Sequence, residues 1–430
     1  MLSTFAQAFR TPDLRGKLLF SLLIMGLFRL GSFIPTPGVS TPNIQTCVAQ
    51  QGENSLLDLV NLFSGGALLQ LSVFALGIMP YITASIIVQL LRVVIPRFDD
   101  LHKEGQQGQT KLTQYTRYLT IFLGVLQSST MISLAMADRL FPGCSAPVIP
   151  EKNAGTFLMM LLVMTAGTGV IMWMGELITE RGIGNGMSLL IFTSITATLP
   201  AHLFSIGRAG AWGKVFWILA LILVITMVVV YIELAQRRIP VQYAKRMVGQ
   251  RLMGGSSTYI PLKINMANVI PVIFSTSILA LPTMIANFGS PNDSWVQWIH
   301  ANFARTTVVY LVANGLMILF FTFFYTSITF NPDEVADNMK KYGGFIPGIR
   351  AGVPTADYLR YVMNRITTAG ALYLVIVALL PSIAMIPLHL EGGQMPFGGT
   401  TLLIVVGVGL QTVMQIDSQL QKHHYEGFLQ

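Results

Sequence analysis

Apolar runs cut by short polar gaps recur along the 430-residue chain. Runs of about twenty such residues predict helices able to cross a ~30 Å hydrocarbon core. Ten spans are read: Lys17–Ile34, Phe74–Ile95, Tyr118–Met136, Thr156–Ile178, Met187–Leu203, Trp212–Ala235, Ala267–Phe288, Thr306–Ile328, Ile366–Ile386 and Thr400–Gln415. One further apolar stretch does not fit. Leu56–Phe63 sets Leu56, Leu59, Val60 and Phe63 at helical spacing, and Ser64-Gly65-Gly66 then stops it. Eight residues reach about 12 Å, far short of a crossing. A stub that cannot cross is thus tied by glycines to a span that can.

Composition supports this reading. The chain is 53% hydrophobic and 11% charged, where soluble domains carry about 25% charged residues, so it reads as a polytopic membrane protein without a large soluble domain. The first apolar run, interrupted by Arg29 and lacking a small-x-small cleavage site, reads as a retained span. Charge then sets orientation. Of the 27 Lys and Arg residues, all but Arg29, Arg139, Lys152, Arg208, Lys214 and Arg305 fall in alternate gaps. The positive-inside rule puts those gaps and both termini in the cytoplasm, and the stub outside. The expected organisation is a cytoplasmic segment 1–16, a first half 17–206 with the stub at about 56–69, a second half 207–417 with cytoplasmic loops at about 236–266 and 329–365, and a tail 418–430. Five spans per half imply inverted insertion. Pro80 in the second span and Pro271 and Pro282 in the seventh interrupt corresponding helices. Paired interruptions point to a midplane site between the halves, although proline is also common in membrane helices generally.

Much chemistry is absent. No span carries Asp, Glu or His near its centre; Glu176, Glu233 and Asp417 lie toward cytoplasmic ends. Ion-coupled transport ordinarily needs such groups. Arg29 is expected to face a water-filled cavity or to snorkel outward. Gly207–Lys214 lacks phosphate-loop spacing, His423-His424 reads as a solvated pair, and no nucleophile–base or metal cluster emerges, so neither an enzyme nor a cofactor is expected. Cys47 and Cys144 match no zinc or redox spacing; both are expected to be external and could pair, although two external loops can easily sit too far apart for a bridge. Transport against resistance would need a partner's energy. The two longest cytoplasmic gaps, basic and carrying the turn signals Tyr259-Ile-Pro-Leu262 and Gly343-Gly-Phe-Ile-Pro-Gly-Ile-Arg350, suit a highly charged partner as well as they suit ordinary positive-inside residues.

Several ordered stretches carry a resemblance: Ser32-Phe-Ile-Pro-Thr-Pro-Gly38, Phe63-Ser-Gly-Gly-Ala67, Phe74-Ala-Leu-Gly-Ile-Met-Pro-Tyr-Ile82, Glu180-Arg-Gly-Ile-Gly-Asn-Gly186, Gln236-Arg-Arg238, Tyr243-Ala-Lys-Arg246, Phe330-Asn-Pro332, Phe345–Arg350 and Phe397-Gly-Gly-Thr-Thr-Leu-Leu-Ile404. Together they resemble the SecY family, the channel subunit of the bacterial protein-export translocon. That resemblance implies an all-α protein of ten transmembrane helices in two inverted pseudo-symmetric halves, with a short re-entrant plug helix. It implies a channel in the bacterial cytoplasmic membrane that passes unfolded preproteins across and releases hydrophobic helices sideways into lipid. Implied partners are the small membrane subunits SecE and SecG, the SecA ATPase, the ribosome, signal sequences, nascent polypeptides and membrane lipids. The family's constriction ring maps to Ile78, Ile82, Met187, Ile191, Ile273 and Ile404; Met187 stands where a branched residue is commoner, and its flexibility suits a deformable seal. The plug maps to Leu59, Asn61, Phe63, Gly65 and Gly66. Thr83, Gln127, Thr276 and Ser277 are small-polar candidates for a lateral-gate seam that weak interhelical hydrogen bonds would leave openable. Arg237, Arg238, Lys245, Arg246, Arg251 and Arg350 are the implied partner-binding residues; Gln250 and Asp333 depart from positions that are basic in some members. The rivals are a small-solute secondary transporter, which the missing midplane charges disfavour, and a membrane anchor for ribosomes that conducts nothing.

Overall fold

The computed structural model describes residues 9–50, 64–68, 70–137, 144, 146–208, 212–243, 246–248, 251–253, 257–286, 289, 293–303, 307–385 and 399–427. The stub at Leu56–Phe63 lies outside them.

All ten expected spans are helices: α1 Pro12–Gly31, α3 Met79–Val94, α5 Gln106–Met136, α6 Ala154–Arg181, α7 Gly186–Arg208, α8 Trp212–Leu234, α9 Ile270–Ala286, α11 Val308–Thr329, α13 Val353–Met385 and α14 Gly399–Gly427. Shorter helices are α2 Thr41–Gln50, α4 Pro96–Lys103, α10 Ser294–Asn302 and α12 Pro332–Lys341. By length and apolarity alone, six helices among the described residues can cross a membrane, or seven if α3 and α4, bent by 100°, count as one. The spans that fall short are α1, α3, α7 and α9, each short or interrupted by charge or proline.

The prolines act differently from the expectation. Pro80 and Pro271 interrupt nothing: each is the second residue of its helix, where the missing N–H is harmless. Only Pro282 lies inside α9. Consequently α3 begins late, and residues 64–68 and 70–78 form an irregular strap instead of the first turns of a span. The strap is bonded to the loop after α1, with Thr36 N–H donating to the Leu71 carbonyl at 3.0 Å and Val73 N–H to Ile34 at 2.9 Å.

At one end of the bundle, which we call the basic end, β1 Gln236–Tyr243 pairs antiparallel with β4 Ser257–Lys263 and with β5 Gly344–Phe345. A small hairpin, β2 Arg246–Val248 and β3 Arg251–Met253, extends from it. These strands add to an otherwise helical fold and join two loops that the sequence treats separately. Ile239, Val241 and Leu262 from the sheet pack with Met339, Ile346, Leu359 and Val362 in one core.

The opposite end answers a question that the sequence leaves open. Cys47 and Cys144 form a disulfide, with Cα atoms 5.3 Å apart. The two loops meet because Ser40 N–H donates to the Val148 carbonyl at 3.0 Å and Asn43 Nδ2 to Pro147 at 2.8 Å. Cys47 then packs with Ile44, Leu68, Leu71, Met131, Val148, Ile149 and Met160 in an apolar cluster. Sequence spacing gives no sign of such contacts. The bridge closes a sequence separation of 97 residues, so Cys47→Ser should lower stability by about 2–4 kcal/mol, measured by thermal unfolding with and without reductant. Protease-nicked fragments from either side of the nick should also stay linked until reduced; separation without reductant would contradict the bridge.

Candidate functional site

The centre of the bundle is an apolar cluster. Ile78, Met187, Ile191 and Ile404 are buried members, and Ile82 and Ile273 pack against it. All six ring candidates, from both halves of the chain, are thus brought together. Local structure explains how. Ile78 immediately precedes α3, and Ile82 lies in its first turn with its N–H donating to the Ile78 carbonyl at 3.1 Å. Ile273 occupies the same place in α9, its N–H donating to Val269 at 3.2 Å. Met187 is delivered by the turn between α6 and α7, where Asn185 Oδ1 accepts from Met187 N–H at 3.0 Å and Thr179 Oγ1 from Gly186 N–H at 2.9 Å. Gly175 on α6 leaves the space that the Met187 thioether fills; a Cβ there would collide with it.

The same cluster holds Phe28, Phe74, Ile171, Ile178, Ile195 and Val408, which the mapped constriction ring does not include. Period would have found some of them. Met187, Ile191 and Ile195 repeat every four residues along α7, as do Ile404 and Val408 along α14. Nothing charged or metal-binding lies at this waist: among the described residues no group of three His, Cys, Asp or Glu could hold a metal ion.

The plug candidates divide. Leu59, Asn61 and Phe63 lie outside the described residues. Gly65 and Gly66 form a turn with φ of +69° and +89°, and Leu68 N–H donates to Ser64 Oγ at 3.1 Å. Gly65 is pressed against Ser194 of α7, so that an added Cβ would sit 3.3 Å from Ser194 Cα. Ser194 follows Ile191 by three residues, about 4.5 Å farther along α7 from the basic end.

The seam candidates do not behave as expected. Thr83 Oγ1 donates to the Met79 carbonyl at 3.0 Å, and Thr276 Oγ1 contacts the Val272 and Ile273 carbonyls, so both bond within their own helices. Ser277 Oγ is buried without a partner, and Gln127 is half-buried on α5. Among the described residues no hydrogen bond from these four crosses between α3 and α9. What meets there is apolar: Ile82, Ile86 and Leu90 of α3 with Ile270, Phe274 and Ile278 of α9 and Phe321 of α11. By contrast α9 and α11 are joined through Ser275 Oγ and Asn314 Oδ1 at 2.7 Å. Arg117 of α5 and Glu176 of α6 form a two-pronged ion pair at 2.7–2.8 Å.

At the basic end Arg237 and Arg238 are exposed on β1, Arg238 lying 4.8 Å over the Tyr259 ring. Arg350 is exposed beyond β5, its carbonyl accepting from Thr355 Oγ1 at 2.8 Å. Arg246 pairs with Met253 and Arg251 with Val248 in the hairpin; Lys245 lies outside the described residues. Asp333 answers Arg360, whose Nη2 reaches both carboxylate oxygens at 3.0–3.1 Å, tying α12 to α13. On α4 the Lys103 ammonium donates to Asp99 and holds that carboxyl below its ordinary range.

Helices from both halves of the chain meet at one apolar waist, with α3 and α9 starting late on either side of it. The SecY family profile matches residues 72–413, and the protein translocase subunit SecY of Streptomyces galbus is 56% identical over all of both chains. The chain belongs to the SecY family and is a multi-pass membrane protein that forms a protein-conducting channel. The small-solute transporter reading is thereby set aside. The fold is shared with a SecY channel whose plug domain is described as stabilising the closed state and maintaining a membrane seal (TM-score 0.63, 17% identity, 94% of this chain and 91% of that one). It is shared equally with Sec61 in a canine ribosome–channel complex (TM-score 0.61, 17% identity, the same coverage).

Replacing Ile191, 3% exposed, by Asn would put an amide into the waist and lower its resistance to wetting. Ion leak through reconstituted channels without substrate should rise several-fold; an unchanged leak would remove Ile191 from the seal.

Proposed function

We propose that Ile78, Ile82, Met187, Ile191, Ile273 and Ile404 form the constriction through which unfolded preproteins pass, in the bacterial cytoplasmic membrane. The supporting observation is that these six residues, from four separate parts of the chain in both halves, share one apolar cluster. Such a waist binds no ion tightly and excludes water by its apolar lining, yet gives way around side chains of any sequence. In this reading the basic end is cytoplasmic, as are both termini. Leu56–Phe63 is a plug seated on the opposite side, with Ser64–Gly66 as its hinge. The lateral gate opens between α3 with α5 and α9 with α11. Its seam is apolar, so a hydrophobic signal sequence can replace the contacts of Ile86 and Phe274 with like ones at little cost. In this reading drive comes from the SecA ATPase or the ribosome docking on Arg237, Arg238, Lys245, Arg246, Arg251 and Arg350. SecE and SecG are its small membrane partners. The Sec61 relative seen with a ribosome supports that docking.

The test is reconstitution of the chain with its small membrane partners and the ATPase. A preprotein added outside the vesicles should become protease-protected when ATP is supplied; no protection with a competent motor would overturn the reading. Deleting Leu57–Leu68 should raise ion leak without abolishing export, and unchanged conductance would overturn the plug assignment.

A further inference from the structure

Arg29 lies in the last turn of α1, at the end opposite the sheet. A guanidinium there ordinarily extends to the interface and its water. This one turns inward. Its Nη1 donates to the Gly65 carbonyl, while the planar group lies 4.7 Å over the Phe33 ring. The acceptor is a backbone oxygen in a left-handed turn, with Gly65 at φ +69°. Gly65 is clamped from both sides: a Cβ added to it would stand 3.0 Å from Arg29 Nη1 and 3.3 Å from Ser194 Cα. The turn is therefore held between α1 and α7, one helical turn beyond Ile191. The half-buried guanidinium thus engages the tether itself.

We propose that Arg29 is a latch on the channel. By donating to the Gly65 carbonyl it holds the Ser64–Gly66 turn against Ser194, and the channel opens only when that bond is given up. The inference rests on the reading of this chain as a plugged channel. Arg29 is a positioning residue, since it touches the tether and not the ring. Its charge also makes the latch stronger than a neutral donor would, because a hydrogen bond from a charged group in a low-dielectric setting is worth roughly tenfold or more in an equilibrium. Because the acceptor belongs to the backbone, only the geometry at residue 65 can spoil it from the other side.

The test compares Arg29→Gln, Arg29→Lys and Gly65→Ala with the unmodified channel in vesicles, with substrate absent. Ion leak is expected to rise about tenfold in Arg29→Gln, less in Arg29→Lys, and comparably in Gly65→Ala, whose added methyl spoils the turn. Combined with deletion of Leu57–Leu68, which removes the acceptor, Arg29→Gln should add nothing. Amide exchange in Arg29→Gln should quicken for residues 64–72 alone. Deletion that leaks beside an Arg29→Gln channel that does not would overturn the latch and leave the plug standing; deletion that does not leak would overturn the plug and the latch together. Faster exchange across the whole chain, or a full additive effect on the deletion, would reduce Arg29 to a structural support and overturn the latch.

Discussion

Backbone that leaves the helix at membrane depth has no water to bond to, so its N–H and C=O groups must be met by protein. Residues 64–68 and 70–78 are where this chain accepts that constraint. Thr36 and Ile34 take up the strap's Leu71 carbonyl and Val73 N–H, Ser64 Oγ takes the Leu68 N–H, and Arg29 supplies the donor for Gly65. With those groups satisfied, α3 can start at Met79 instead of several residues earlier. That late start sets Ile78 and Ile82 at the height where α7 presents Ile191 and α9 presents Ile273. The irregular strap is therefore what allows a waist to form from helix starts, and its bonding partners come from α1 and the loop after it.

The waist also explains an oddity of composition. The spans that are too short or too polar to be recognised unaided are α1, α3, α7 and α9, and all four contribute to the central cluster. Of these, α7 is the one largely enclosed by other helices through residues 186–195, which relieves it of the lipid's demand for a long uniform apolar surface, whereas α1 exposes Leu19, Leu22, Leu23, Leu27 and Leu30. The outer helices α8 and α11 are the reverse case, with large exposed apolar side chains such as Phe216, Trp217, Met227 and Leu316.

Much of this was legible in sequence. Every span is a helix, because twenty-residue apolar runs have few other fates. The ring candidates also converge, because the residues flanking the starts of α3 and α9 and the four-residue repeat on α7 carry their own geometry. Three features were not legible, for one reason. The Cys47–Cys144 bridge, the β1–β5 pairing of Gln242 with Phe345, and the Arg29–Gly65 contact each join segments far apart in the chain, and no local period encodes such a meeting. The hydroxyls of Thr83 and Thr276 were misjudged on a different ground. A helical Thr has a carbonyl four residues back always within reach, so it satisfies itself locally before it reaches across a seam.

That last preference bears on how a gate of this kind works. If the seam between α3 and α9 were held by hydroxyl pairs, each opening would expose unsatisfied donors to lipid, and closing would depend on their re-pairing. With Thr83 and Thr276 bonded within their own helices, opening exposes only side chains such as Ile86 and Phe274, for which lipid is as good a neighbour as protein. Such a seam contributes little resistance of its own in either direction. In the proposed gate, bias toward the closed state then falls to polar contacts elsewhere, and the strap carries one of them, a charged donor on a backbone carbonyl one helical turn from Ile191.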